Sequence, residues 1–249
     1  MFLLVFLGIV QGLTEFLPIS SSGHLYLVKE ILRIKEDYFS LFILLHIATL
    51  LALLLFFSKS LHLLLNKKLL LNIVIVTCLT AVLGLAIKVY LRDFFGNKYL
   101  LLTCFLINSL ILLKTSPNRA GKSCCDIDWK DSIVVGLLQG LSPFPGISRS
   151  GITIAGLLKR GFRNQDSFVL AFLLAIPVII GALILELADF NLSGLIFPDV
   201  SAGFIAAFIS GLAALTIVKK TLDTVYFKRF GYYCLFICCL ILLNSLIGR

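Results

Sequence analysis

Glu15, Ser21, His24 and Arg149 are the residues of this 249-residue chain best suited to chemistry, because each is polar or ionisable in apolar surroundings. An ionisable side chain at membrane depth is costly and is a functional candidate by default. Glu15 follows Gln11 by four residues, so a helix there puts carboxylate and amide on one face. That pair suits a general base, a metal ligand or a proton relay. Ser20, Ser21, Ser22 and Gly23 run into His24. Three hydroxyls, a flexible glycine and an imidazole suit nucleophilic attack or phosphate binding. A helix opening on these serines would be capped by them, and its free N–H groups would also attract phosphate. Arg149 stands between Ser148 and Ser150, just after Pro145 and Gly146. Its guanidinium needs an anion, either phosphate oxygens that match its fork or the Glu15 carboxylate. His46, inside an apolar run, is at most a weak site candidate, and His62 reads as a surface loop residue. Glu, His, Ser and Arg around a nest of serines suggest phosphoryl chemistry. There is no GxxxxGK[ST] loop, no zinc spacing and no GxSxG elbow.

Two stretches hold these residues, and they are nearly the same peptide. Residues 8–23 (GIVQGLTEFLPISSSG) and 136–151 (GLLQGLSPFPGISRSG) share nine of sixteen positions without a gap. Glu15, Ser21 and His24 occur only in the first copy, whereas Arg149 and Thr153 occupy non-identical positions of the second. A repeated Gly/Pro/Ser segment with different charged groups in each copy suggests one composite site, as duplicated membrane proteins build from interrupted helices. The repeat extends further, since FSLFILLHI (39–47) aligns with FVLAFLLAI (168–176).

The remainder of the chain is what a membrane requires. It is 59% hydrophobic with only 14% charged residues, against about 25% in soluble domains. Apolar windows at Leu41–Phe57, Leu69–Val89, Leu100–Leu113, Phe168–Leu187, Val200–Val218 and Tyr232–Ile247 predict six full spans. Met1–Val10 lacks a basic flank and a small-residue cleavage site and so does not read as a cleaved signal peptide. The net charge of +9 is scattered over loops and reads as a topology signal, not as a nucleic-acid surface. Seven cysteines show no metal-type spacing.

Basic loops at Ser58–Lys68, Lys114–Asp131 and Lys219–Arg229 go to the cytoplasm, and the acidic Ala188–Asp199 goes outside. The Lys159–Asp166 loop is then cytoplasmic too, so Ser132–Leu158 enters the membrane and turns back near Pro143, Pro145 and Gly146. The first copy enters from the other side, with His24–Ser40 external. The expectation is a single all-α membrane domain over residues 1–249. Its halves, approximately 1–115 and 130–249, form an inverted repeat with two re-entrant helical loops meeting at a wet pocket.

QGLTEFLPISSSGH (11–24) and PGISRSGIT (145–153) closely resemble the two signatures of bacterial undecaprenyl-diphosphate phosphatases of the bacitracin-resistance family, and FILLHIATLLA (42–52) is similar to that family's third span. The resemblance covers nearly the whole chain. It implies a multi-pass enzyme of the bacterial inner membrane that removes the terminal phosphate of undecaprenyl diphosphate, recycles the cell-wall lipid carrier and confers bacitracin resistance. It also implies a divalent cation, Mg²⁺ or Ca²⁺, with Glu15 as a metal ligand. By motif match Glu15, Ser21, His24 and Arg149 would be catalytic. Gln11, Ser20, Ser22, Gly146, Ser148, Ser150 and Thr153 would bind substrate. Many members carry a second Glu where this chain has Gln11. Two schemes stand side by side: Ser21 attacks phosphorus while His24 handles protons and Glu15 orients it, or His24 attacks and Ser21 supports the phosphate. The expected partners are the lipid diphosphate and the bilayer, with no nucleic acid, and a homodimer is left open. A transporter is the competing class, because inverted repeats with interrupted helices also build transporters.

Overall fold

A computed structural model describes residues 2–33, 39–190, 197–222 and 227–247. Ten α-helices follow in order among these residues: α1 (Phe2–Phe16), α2 (Ser21–Ile31), α3 (Phe39–Phe56), α4 (Lys67–Tyr90), α5 (Lys98–Lys114), α6 (Trp129–Gln139), α7 (Arg149–Lys159), α8 (Asn164–Glu186), α9 (Phe197–Leu222) and α10 (Lys228–Ile247). Each of the six apolar windows has become one of the long helices, because in lipid every backbone polar group must be satisfied within its own segment. Lys67–Tyr90, Asn164–Glu186 and Pro198–Leu222 are long and apolar enough to cross a membrane. α3 with the short 3-10 helix Ser58–Leu65, bent by 77° from it, makes a fourth such unit. By length and composition the described residues thus hold three or four spans where the apolar windows predict six, and the chain is an all-α, multi-pass membrane protein.

The other four helices form two hairpins. With 15 residues α1 rises about 22 Å, and the 11 residues of α2, α6 and α7 rise about 17 Å each, all short of a ~30 Å hydrocarbon core. Matching α1–α5 to α6–α10 in order, the packing repeats: α1 lies on α9 as α6 lies on α4, and α5 lies on α10. The same glycines serve both copies. A Cβ on Gly8 or Gly12 would run into Gly203, Ala207 and Ser210 of α9, and one on Gly136 or Gly140 would press on Leu79 and Leu83 of α4. Small residues four apart let membrane helices approach closely. One buried cluster runs through both halves, from Phe16, Ile43 and Phe105 to Phe172, Leu215 and Cys234.

The loops gather at two opposite ends. At one end the backbone of Lys122 bonds Gly161, the Asn118 N–H donates to Asn164 and Lys68 reaches the Cys125 carbonyl. Here the fully buried Asp131 at the start of α6 takes Lys122 Nζ at 2.8 Å and Arg160 Nε at 2.6 Å, stapling the open end of the second hairpin. At the other end Tyr26 of α2 donates to the Gly96 carbonyl, and Lys88 faces Glu186. These two groups are the basic and the non-basic loops separated on charge, so the hairpins open toward opposite ends. Residues 34–38, within the external segment expected from the sequence, lie outside the described residues.

Candidate functional site

The tips of the two hairpins are built into each other. Ser20 caps α2, with its Oγ accepting the Gly23 N–H at 3.3 Å and also the Gly146 N–H from the other hairpin at 3.0 Å. Ser148 caps α7 in the same way, accepting the Gly151 N–H at 3.2 Å. Ser148 and Ser150 reach back toward the Leu17 carbonyl at 3.5 and 3.4 Å. Asn108 of α5 ties both tips, donating to the Pro18 carbonyl and accepting from the Ser148 N–H. Gly146 has φ +103, and a Cβ there would meet Leu101, Cys104 and Phe105, so only glycine fits. Ser20 also has positive φ, 72°, which is rare for a residue with a side chain and concentrates at functional sites.

These caps leave the second serine of the run free to turn elsewhere. Ser21 Oγ donates to Glu15 Oε2 at 2.7 Å, and Gln11 Nε2 donates to the same oxygen at 3.0 Å. Arg149 Nη2 stands 3.3 Å from Glu15 Oε1, and His46 Nε2 is 3.7 Å from Oε2. Glu15 is nearly sealed from solvent, so its charge is stabilised by these donors and the Arg149 guanidinium and not by water. Arg149 Nε is buried and has no hydrogen-bond partner among the described residues, leaving one donor of its fork uncommitted.

A cavity of about 610 Å³ opens from this cluster. Glu15, Ser21, Ser22, His46 and Arg149 form its polar end, and α4 and α8 supply apolar walls through Ala81, Leu85, Val178, Ile179 and Leu183. Its far end reaches Phe95, Lys88 and Glu186, on the side opposite the basic loops.

The geometry sorts the residues singled out from the sequence. Glu15, Ser20, Ser21, Ser22, Ser148 and Arg149 line the cavity. Gln11 is behind Glu15, Gly146 spends its N–H on Ser20, and Thr153 donates to Gln139, away from the cavity. His24 does not reach Glu15 or Ser21. Its Nδ1 donates to the Ser20 carbonyl at 2.7 Å, so Nε2 is the acceptor of the Tyr233 hydroxyl at 2.8 Å, and the ring stacks on Tyr233. The imidazole beside the carboxylate is His46, which the sequence marks at most as a weak site candidate. The signal that could have found it is the rule already applied to Glu15, an ionisable residue inside an apolar span.

A protein-held divalent cation does not fit this arrangement. Glu15 is one carboxylate, with Oε2 taken by Ser21 and Gln11 and Oε1 facing a guanidinium, and Gln11 brings an amide in place of a second carboxylate, so the protein alone offers too few free oxygens to hold the ion. Among the described residues there is no cluster of three or more His, Cys, Asp or Glu able to hold a metal.

Against known proteins, the profile of the Bacitracin resistance protein BacA family matches residues 4–240. The chain belongs to this family. Within it, the chain is similar to the undecaprenyl-diphosphatase of Thermosipho melanesiensis, 38% identical over 94% of this chain and 95% of that one. The undecaprenyl-diphosphatases of Carboxydothermus hydrogenoformans and Methanococcus maripaludis are 38% and 37% identical, covering 91% and 92% of this chain and 90% and 94% of theirs. The family match runs from the first turn of α1 into α10 and so takes in both hairpin tips and the helices between them.

Proposed function

We infer that this protein hydrolyses the terminal phosphate of undecaprenyl diphosphate, giving undecaprenyl phosphate and inorganic phosphate. The observation that carries this reading is the cavity, where a serine, a carboxylate and an arginine converge at one end and apolar helix walls lead away from it. A prenyl diphosphate has the same division into a charged head and an apolar tail. Family membership and the names of the relatives support the same substrate.

In the reaction we propose, Ser21 Oγ attacks the terminal phosphorus and passes its proton to Glu15, to which it is already hydrogen-bonded. The bond from that phosphorus to the bridging oxygen breaks, and the bridging oxygen leaves on undecaprenyl phosphate. Glu15 hands the serine's proton to the departing undecaprenyl phosphate; water then attacks the phosphoserine and gives a proton to Glu15, which returns it to the serine oxygen as phosphate departs. Arg149 turns from Glu15 to the phosphoryl oxygens, where its fork opposes the charge that develops. Gln11 orients Glu15, and His46 sets its imidazole beside the other donors on Glu15 Oε2. His24 acts through Ser20, holding the carbonyl of the turn that aims Ser21.

On our reading the protein works in the inner membrane, where it returns the lipid carrier to cell-wall synthesis and lowers sensitivity to bacitracin. A pure transporter would have no task for the Ser21–Glu15 hydrogen bond. Phosphate release from undecaprenyl diphosphate by purified protein is the test. Release is expected from the native chain, and transport without hydrolysis would overturn the reading.

A further inference from the structure

Five charged or titratable side chains line the cavity: Glu15, His46, Lys88, Arg149 and Glu186. Three of them form the deep cluster, where Arg149 and His46 both face Glu15. The other two stand apart. Lys88 Nζ, on the last turn of α4, lies 3.7 Å from Glu186 Oε1 at the end of α8. The pair bridges the two halves of the repeat across the cavity mouth.

Helix stability does not explain Glu186. A carboxylate at a helix C-terminus opposes the helix dipole, whereas Lys88 at the end of α4 agrees with it. Nor does the pair hold the helices together with any force. The separation is beyond hydrogen-bond length, the Lys88 side chain is 57% exposed, and exposed pairs of this kind contribute little. Lys88 can therefore exchange one anion for another at little cost. The deep end has a use for that exchange. Arg149 can face the phosphate attacked by Ser21, but a diphosphate carries a second charged phosphate nearer its chain, and the deep cluster has no further arginine or lysine for it. Ile179 of α8 lies level with Glu15 and Arg149, and Glu186 is seven residues further along, about 10 Å toward the mouth. A lysine on a flexible four-carbon stem at that height is placed to reach down to the second phosphate.

We propose that Lys88 is a specificity residue, which leaves Glu186 on substrate entry and pairs with the phosphate attached to the prenyl chain, so that the site prefers diphosphates to monophosphates. This rests on the reading of the cavity as a prenyl diphosphate site. Glu186 is the resting counter-ion that keeps Lys88 turned over the mouth.

The test is calorimetric binding to purified full-length protein, which does not depend on turnover. The probes are a prenyl methylene-diphosphonate, uncleavable but with two phosphoryl groups, and a prenyl phosphonate with one. Lys88→Met should weaken the diphosphonate about tenfold or more, the size of a lost charge-assisted contact, and leave the monophosphonate unchanged. Unchanged monophosphonate binding also shows that the variant is folded. Lys88→Arg should keep most of the diphosphonate affinity, and Glu186→Gln should tighten it by releasing Lys88. Equal losses for both probes in Lys88→Met, or no loss for either, would overturn the role of Lys88 while leaving the phosphatase reading intact. Failure of both probes to bind the native protein would overturn the underlying reading, and Lys88 with it.

Discussion

Ser21 and Arg149 hold opposite oxygens of one carboxylate: Ser21 Oγ is 2.7 Å from Glu15 Oε2, and Arg149 Nη2 is 3.3 Å from Oε1. They occupy equivalent places in the two copies of the duplicated peptide, each first in the helix that follows its turn. On the mechanism we propose, the duplicated peptide thus brings a nucleophile from one copy and a phosphate clamp from the other to the same acid.

Ser21→Ala should lower turnover by at least about 10³-fold while the diphosphate still binds, because it removes the attacking atom. Brief exposure of the native enzyme to substrate, followed by acid quench, should trap phosphoserine at Ser21. An acid-labile phosphohistidine at His24 would reverse the assignment. Ser20→Ala should act instead on stability, since its Oγ accepts two backbone N–H groups and each buried donor left unpaired costs about 1–3 kcal/mol.

Arg149→Lys keeps the charge and loses the fork. With Arg149 Nε already an uncommitted donor beside the cavity, the lysine should not rescue activity, and turnover should fall by about 10²–10³-fold. Near-native turnover in steady-state assays would reduce Arg149 to a partner of Glu15.

How much of this was legible in the sequence depends on which force decides. The long helices follow the apolar windows to within a few residues, Leu69–Val89 becoming Lys67–Tyr90 for instance, because hydropathy dominates in lipid. The hairpin turns were legible in their Pro, Gly and Ser, and the opposed orientation in the basic loops. The histidines were not. His24 follows a serine run and looks catalytic, yet its second partner is Tyr233, 209 residues away, and no local pattern announces that pairing. His46 has only apolar neighbours, and its meeting with Glu15 is set by how α3 packs beside the first hairpin. Lys88 and Glu186 were hidden for the same reason, each looking like an ordinary charge at the end of a span.

Gly12→Ala should disturb the site without touching it. The added Cβ would strike Ser210 and Ala207 of α9, and a backbone carbonyl cannot move aside as a flexible side chain can. Overpacking of this kind costs about 1–3 kcal/mol. Since Glu15 follows one turn later on α1, turnover should fall together with thermal stability in detergent. Loss of neither would show that α1 and α9 are free to separate.

Asp131→Ala should be among the most damaging substitutions far from the cavity. It leaves Lys122 and Arg160 without their buried anion and opens the base of the second hairpin. Removing one partner of a buried ion pair costs about 3–5 kcal/mol where the remaining charge stays buried; Lys122 and Arg160 are each 35% exposed and keep some water, so a smaller loss and a midpoint lower by a few degrees are expected. An unchanged midpoint would mean that α6 and α7 are held by their apolar contacts alone.

The contact between Ser20 Oγ and the Gly146 N–H bears on the order in which the molecule can be made. During synthesis Ser20 emerges 126 residues before its donor. Until then the turn that aims Ser21 has an unfavourable backbone shape, worth about 1–3 kcal/mol in such cases, and lacks the partner that offsets it. The first hairpin therefore waits in the bilayer in some looser form. It takes its working shape only when the second arrives from the opposite face, so the ribosome is past the middle of the chain before a catalyst exists at all.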